Sequence, residues 1–282
     1  MQPRQPPLRQ AAAFVPLAFA ISWLCWLPVA FSEHGFGFVS VAASPLLVIL
    51  GTFGPFLSAV AIVARNSGAR GLRDFLGQAL RWRAGIQWYA AALIAPFVIR
   101  IVVIGLHLLK GGAYPSIFSL GTWVNVPFTF LTVLIIGGPS GEEFGWRGFF
   151  LPRVQSVFGL LGASFVIGVI ASLWHVPLFF INGTAQSHIP YLLFVLRTIS
   201  LSFISTWLYN GTRRSVLFVL LFHASLNTWP NTLFLLETDG SIGPYISTTI
   251  IYAGWACQLF ILGLLRGRGD RRERRPVGRA AA

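Results

Sequence analysis

The sequence predicts an all-α protein, a polytopic bundle of about eight transmembrane helices, and three observations carry that prediction. Hydrophobic residues fill 55% of the 282 positions and charged residues only 10%, against about 25% charged in an ordinary soluble domain. Mean hydropathy is +0.71. A chain with so few polar side chains cannot cover a water-facing surface, so lipid is its solvent. Finally, the apolar residues gather into eight stretches, each near the roughly 20 residues that a helix needs to cross a bilayer.

The stretches run 11–32, 39–64, 86–109, 118–138, 157–180, 190–209, 215–235 and 244–265. The first follows Arg4 and Arg9, as the apolar part of a signal peptide would. It is too long for that part, and no small-x-small cleavage site follows it, so it is read as a retained helix. Residues 1–10 form a short cytoplasmic N-terminus ahead of a membrane domain over 11–265. Between the second and third stretches, GLRDFLGQALRWR (71–83) repeats Leu72, Phe75, Leu76, Ala79 and Leu80 at helical spacing. Arg73, Asp74, Gln78 and Arg81 take the other face, which predicts an amphipathic helix lying in the cytoplasmic interface. The segment 266–282 is basic and lacks apolar periodicity, and it is expected to be a disordered tail.

Charge orients the bundle. The net charge is +13, which in a soluble chain would suggest nucleic acid. Here 18 of the 21 basic residues fall in the N-terminus, in 65–85, in 139–155, at Arg213 and Arg214, or in the tail. They sit in loops between apolar runs, where they set topology, and nucleic-acid binding is rejected. The intervening loops hold Glu33, Glu237 and Asp239, with Lys110 as their one cation. Eight spans with both termini inside satisfy this pattern, as expected of a multi-pass cell-membrane protein. The excess of Arg over Lys suggests a GC-rich bacterial genome and hence a bacterial inner membrane. The basic loops and tail should attract anionic headgroups, at about 1 kcal/mol per basic residue near the surface. Cys25 and Cys257 offer no disulfide framework and read as packed apolar residues.

Ionisable groups within the apolar stretches are costly, so each calls for a functional explanation. They are Arg100, Glu142, Glu143, Arg147, His175, Arg197 and His223, with Asn227 as a polar companion. In GPSGEEFGWRGFF (138–150), glycines and Pro139 loosen the helix ahead of the glutamates, and Ser140 is placed to cap its resumption. Glu143 and Arg147 are four apart, in the favourable order for an ion pair. Glu142 then points about 100° away and is free for chemistry. His223 and Asn227 share one face of the seventh stretch, and His175 lies in SLWHVPLFF on the fifth. A base, electrophilic groups and a charge partner on three helices are the parts that hydrolysis needs. No G-x-S-x-G or H-E-x-x-H motif is present. Two versions stay open: water activated by Glu142, with His223 and Asn227 on the oxyanion, or a metal such as Zn2+ held by Glu142, His175 and His223.

These motifs resemble those of the CPBP family. That group comprises CAAX prenyl proteases of the Rce1 type and bacteriocin-processing or immunity proteins of the Abi type. EEFGWR resembles its E-E-x-x-x-R motif, SLWHVPLF its histidine motif and HASLN its H-x-x-x-N motif. GPFLSAV (54–60) and GLRDFLGQALRWR are also typical, so the likeness covers a core of about 50–230. The resemblance implies an intramembrane endopeptidase with a cavity open to the cytoplasm. By position it implies Glu142 as catalytic glutamate, Glu143 and Arg147 as its supporting pair, and His175, His223 and Asn227 as further site residues. One departure is Ala171, where the family usually has Phe four residues before the histidine; Phe165, Leu173 or Phe179 is expected to fill that space. The expected partner is a membrane-embedded or lipidated peptide or protein. The rival readings are a transporter or channel using Arg100 and Arg197, and a non-catalytic immunity or scaffold protein.

Overall fold

The computed structural model describes residues 7–40, 44–112, 120–232 and 242–273. Glu237, Asp239, most of the loop after Lys110 and the end of the tail lie outside the described residues. Each predicted stretch is helical: α1 (Pro7–Phe31), α2 (Pro45–Gly51), α3 (Gly54–Leu76), α4 (Ile86–Tyr89), α5 (Ala95–Leu109), α6 (Leu120–Ile136), α7 (Gly138–Glu143), α8 (Leu151–Trp174), α9 (Tyr191–Gly211), α10 (Val216–Thr232) and α11 (Gly243–Glu273). Among the described residues there is no strand, only an isolated bridge between Ser32 and Val39.

Among the described residues, five helical runs are long and apolar enough to cross a membrane: Leu8–Phe31, Ile86–Leu109, Trp123–Phe180, Tyr191–Gly211 and Gly243–Gly263. α10 is shorter but apolar. Large apolar side chains on their outer faces, such as Leu24 (75% exposed), Phe128 (73%) and Leu192 (82%), need an apolar solvent. Inside, Phe14, Trp26, Trp146, Trp174, Phe149, Phe218 and Phe222 are fully buried and belong to one core. α8 packs on α9, α9 on α11, α1 on α3 and α10 on α6.

Several expectations are corrected. The stretch 39–64 is not one helix, because Thr52 and Phe53 separate α2 from α3. The basic segment 139–155 is not a loop. The helix resumes directly after Gly137, runs through a π-helical stretch, Phe144–Phe150, and continues into α8. α8 turns at Gly159, whose φ of 67° suits glycine. α11 runs on to Glu273, past the start of the predicted disordered tail; basic residues at a helix C-terminus favour such an extension.

The segment 71–83 is helical up to Leu80, finishing in a 3-10 turn over Gly77–Leu80, but its faces differ from the sequence reading. Gln78 is buried with Phe75, whereas Leu76 (42%), Leu80 (78%) and Trp82 (59%) point outward. Gln78 belongs inside because it is fully used. Its Nε2 donates to the Phe75 and Gly148 carbonyls (3.1 and 3.4 Å), and its Oε1 accepts from the Tyr209 hydroxyl (2.9 Å). Apolar residues on two faces suit a segment with protein on one side and lipid on the other.

Candidate active site

The site is built around α7 and the π-helical stretch behind it. Gly137 adopts φ −83° and ψ −170°, which frees the last carbonyls of α6. Ser140 does not cap α7; its hydroxyl donates back to the Leu134 carbonyl across the break. Wide π turns recur at functional sites, and here one carries Arg147.

One face of this segment is glycine. A β-carbon at Gly141 would stand 2.4 Å from the Thr52 carbonyl oxygen, and one at Gly145 would stand 2.6 Å from that of Pro55. The glycines therefore let the segment lie directly on the backbone between α2 and α3, as small residues four apart do in membrane helices. This contact joins the GPFLSAV and EEFGWR segments.

The other face is charged. Glu143 is 2% exposed. Its Oε1 accepts from His223 Nδ1 at 2.7 Å and from Arg147 Nη1 at 3.2 Å, while Oε2 lies 3.1 Å from the same Nη1. The expected Glu143–Arg147 pair is thus present, and His223 is its third member. Glu142 is buried too, but among the described residues it makes no hydrogen bond or ion pair. A β-carbon at Gly138 would stand 2.5 Å from Glu142 Oε1 and 3.6 Å from His223 Cε1. The free carboxylate and the imidazole therefore border the same point.

His175 ends α8. Its Nδ1–H donates to the Ala171 carbonyl at 2.7 Å, leaving Nε2 as an acceptor. The residue before it is pinned from α1, since Trp174 Nε1 donates to Ser22 Oγ (2.8 Å) and Trp23 Nε1 donates to the Trp174 carbonyl (2.9 Å). The His175 ring lies between those of Trp174 and Phe194, at 4.6 and 5.0 Å between centroids, with Phe179 behind Phe194. Of the three side chains expected to replace the missing phenylalanine, Phe179 is placed in this second layer, while Phe165 and Leu173 point outward. His175 stays within electrostatic reach of His223 without bonding to it. Asn227 lies one turn beyond His223 on α10; among the described residues its side chain has no hydrogen-bond partner, and both residues are half-buried.

The structure therefore brings Glu142, Glu143, Arg147 and His223 together directly, with His175 and Asn227 at the margin. Among the described residues no three His, Cys, Asp or Glu side chains group closely enough to hold a metal ion, Glu142, His175 and His223 included. Arg100 and Arg197 do not join the glutamates; they border a separate small cavity. Gln78, Tyr209, Ser22, Trp174 and Phe194 were not legible as supports, because each acts across more than 100 residues of sequence or through a ring contact without a motif.

Residues 122–229, which contain all three motifs, match the family described as "Type II CAAX prenyl endopeptidase Rce1-like". A protein of Methanococcus maripaludis named CAAX prenyl protease 2 is 25% identical over 218 residues, covering 74% of this chain and 79% of the relative. Over residues 122–229 the chain is similar to Rce1-like CAAX prenyl endopeptidases, and over most of its length it is similar to the archaeal CAAX prenyl protease.

Proposed function

We propose that the chain hydrolyses a peptide bond in a membrane-associated peptide or protein, with water activated by Glu142. The observation that carries this reading is the division between adjacent glutamates. Glu143 is saturated by Arg147 and His223, while Glu142 borders His223 without a partner. A carboxylate held in place with its lone pairs unused is placed to take a proton from water.

The neighbours supply the rest. His223 gives its Nδ1–H to Glu143, so its Nε2 edge is what it offers a substrate, as a donor when the ring is protonated. Asn227 adds an amide N–H from the same face. Together they would hydrogen-bond the oxyanion formed as hydroxide attacks the carbonyl. His175 presents its Nε2 lone pair and would orient the water. Glu142 then returns its proton to the departing amine, so that one water is consumed and two termini are formed. No step is routed through a metal, because the expected ligands do not group around one.

The basic segments also meet. Arg81 Nη1 donates to the Arg213 and Arg214 carbonyls (3.3 and 3.2 Å), and Arg153 Nε donates to Gln10 Oε1 (3.0 Å). These contacts support a shared cytoplasmic end with both termini inside, where the arginines face anionic headgroups. The test compares the purified protein with Glu142→Ala and His223→Ala for cleavage of apolar membrane peptides, with and without chelator. Cleavage by the parent alone, unaffected by chelator, is expected; equal cleavage by Glu142→Ala overturns the reading.

A further inference from the structure

A groove of about 460 Å³ lies between α5 and α11, lined by Ala95, Ile99, Ile251, Gly254, Trp255 and Gln258. The neighbouring Ile94, Val98 and Ile250 are exposed, so the groove opens to lipid. Behind it, the Trp255 ring meets those of Trp207 and Phe222 at 5.9 and 6.2 Å. The floor is therefore packed core, and the groove is already formed in the protein alone.

Depth orders the lining. The Ile86–Leu109 and Gly243–Gly263 runs rise by about 1.5 Å per residue. Counted from Ile86 and from Gly263, Ala95 and Gly254 both lie about 14 Å in, and Ile99 and Ile251 lie about 18–20 Å in. Residues that share a groove share a depth, so Ile86 and Gly263 stand at the same face of the membrane. Gln258 is shallower, about 8 Å from that face. Its exposed side chain has no hydrogen-bond partner among the described residues. An amide facing hydrocarbon unpaired is unfavourable, but a polar side chain near the interface can reach the headgroup level.

Charge marks the same face. Arg81 and Arg83 precede Ile86, and α11 runs on past Gly263 with Arg266, Arg268, Arg271 and Arg272 against Asp270 and Glu273. The groove is thus apolar at depth, carries an amide where it grows shallow, and opens beneath basic sequence. Its width decides what enters. Between Gln258 and Ile251 it is about 10 Å long, which leaves a mean cross-section of about 45 Å². A helix about 10–12 Å across with its side chains needs roughly twice that, whereas extended hydrocarbon chains fit.

We propose that this groove binds an anionic phospholipid. Its acyl chains lie against Ala95, Ile99, Ile251 and Gly254, an ester carbonyl accepts from the Gln258 amide, and its phosphate meets the arginine-rich ends of the two helices. The assignment is independent of the peptidase reading.

The test counts bound lipid. The purified protein is stripped of lipid in detergent, titrated with dioleoyl phosphatidylglycerol or dioleoyl phosphatidylcholine, and followed by native mass spectrometry. The first phosphatidylglycerol is expected to bind about tenfold tighter than the first phosphatidylcholine. Gly254→Leu fills the groove without a clash, since a β-carbon there would meet nothing within 4 Å. It should weaken the first phosphatidylglycerol about tenfold or more, through lost acyl burial. Gln258→Leu should weaken it about fivefold, the loss of one hydrogen bond. Joint Arg266→Gln and Arg268→Gln should bring the two lipids within about threefold. Ala95→Leu fills the groove from the other wall and serves if Gly254→Leu fails to fold. Unchanged phosphatidylglycerol binding in the folded groove-filling variants overturns the site, because basic loops alone would give that result. Equal affinity of the parent for the two lipids overturns it as well. A dimer that Gly254→Leu dissociates while lipid binding persists assigns the groove to a second copy and also overturns the proposal.

Discussion

The adjacent glutamates should separate stability from activity. In Glu143→Ala the lost carboxylate had only 3% of its side-chain surface exposed and held His223 at 2.7 Å and Arg147 at 3.1 Å. Its removal strands a buried guanidinium and an imidazole N–H. Breaking a buried ion pair from one side costs about 3–5 kcal/mol. Counting the lost charge-assisted hydrogen bonds at about 1.5–3 kcal/mol each gives the same range. Glu142→Ala removes a carboxylate that has no partner among the described residues, so its cost should stay within about 1 kcal/mol. The assay is unfolding in mixed micelles of rising dodecyl sulfate, followed by tryptophan fluorescence. Combining Glu143→Leu with Arg147→Met should recover part of the loss, since an apolar pair leaves no stranded charge. Equal destabilisation by Glu142→Ala and Glu143→Ala would refute the division of roles, as would a Glu143→Ala cost below about 1 kcal/mol.

Three further outcomes follow from the packing. Gly145→Val drives side-chain atoms into the Pro55 backbone, where even a β-carbon would sit 2.6 Å from the carbonyl oxygen; it should cost at least about 1–3 kcal/mol, read in the same unfolding assay. Gly138→Ala puts a methyl 2.5 Å from Glu142 Oε1, so the carboxylate must swing away. Peptide cleavage should fall by about 100-fold while the unfolding midpoint stays near that of the parent. Tyr209→Phe leaves Gln78 Oε1 without its 2.9 Å donor and should cost about 1–2 kcal/mol. The Tyr209→Phe, Gln78→Ala double variant should cost less than the sum of the single variants, a coupling that a double-mutant cycle measures directly.

What the sequence disclosed is what periodicity and charge encode. The apolar stretches are largely helical among the described residues because lipid leaves backbone groups no other partners, and Glu143 met Arg147 because four residues is about one helical turn. The failures share a cause. Position 78 was assigned to the polar face by its residue type, but the inward side is polar at that point, with Tyr209 and the Gly148 carbonyl waiting for an amide. In sequence the segment 139–155 counts among the loops for its basic residues, although Glu143 and Arg147 already read as lying on a resuming helix. In the structure the glycines make a packing face, Arg147 is buried against Glu143, and Arg153 lies over the Phe149 ring at 3.6 Å. The apparent breakers are helix contacts whose partners lie far away in sequence, whereas Arg147 and Arg153 find theirs one turn back.

The resumption of the helix after Gly137 explains how the fold can hold an unpartnered carboxylate at Glu142. A buried acid without hydrogen bonds is unfavourable, and a yielding segment would rotate to expose it or pair it. Here rotation is blocked from both sides. Gly141 and Gly145 seat the backbone on Thr52–Pro55 with no room for even a β-carbon. One residue on, Glu143 is fixed by Arg147 and His223. The glycine face sets the depth of the segment and the ion pair sets its rotation, so the position of Glu142 is imposed by neighbours that gain stability elsewhere. Functional sites store unfavourable geometry only where the surroundings over-determine it. Weakening either constraint should therefore let Glu142 find a partner. Gly141→Ala is expected to lose peptide cleavage at temperatures where its α-helical circular dichroism is still intact.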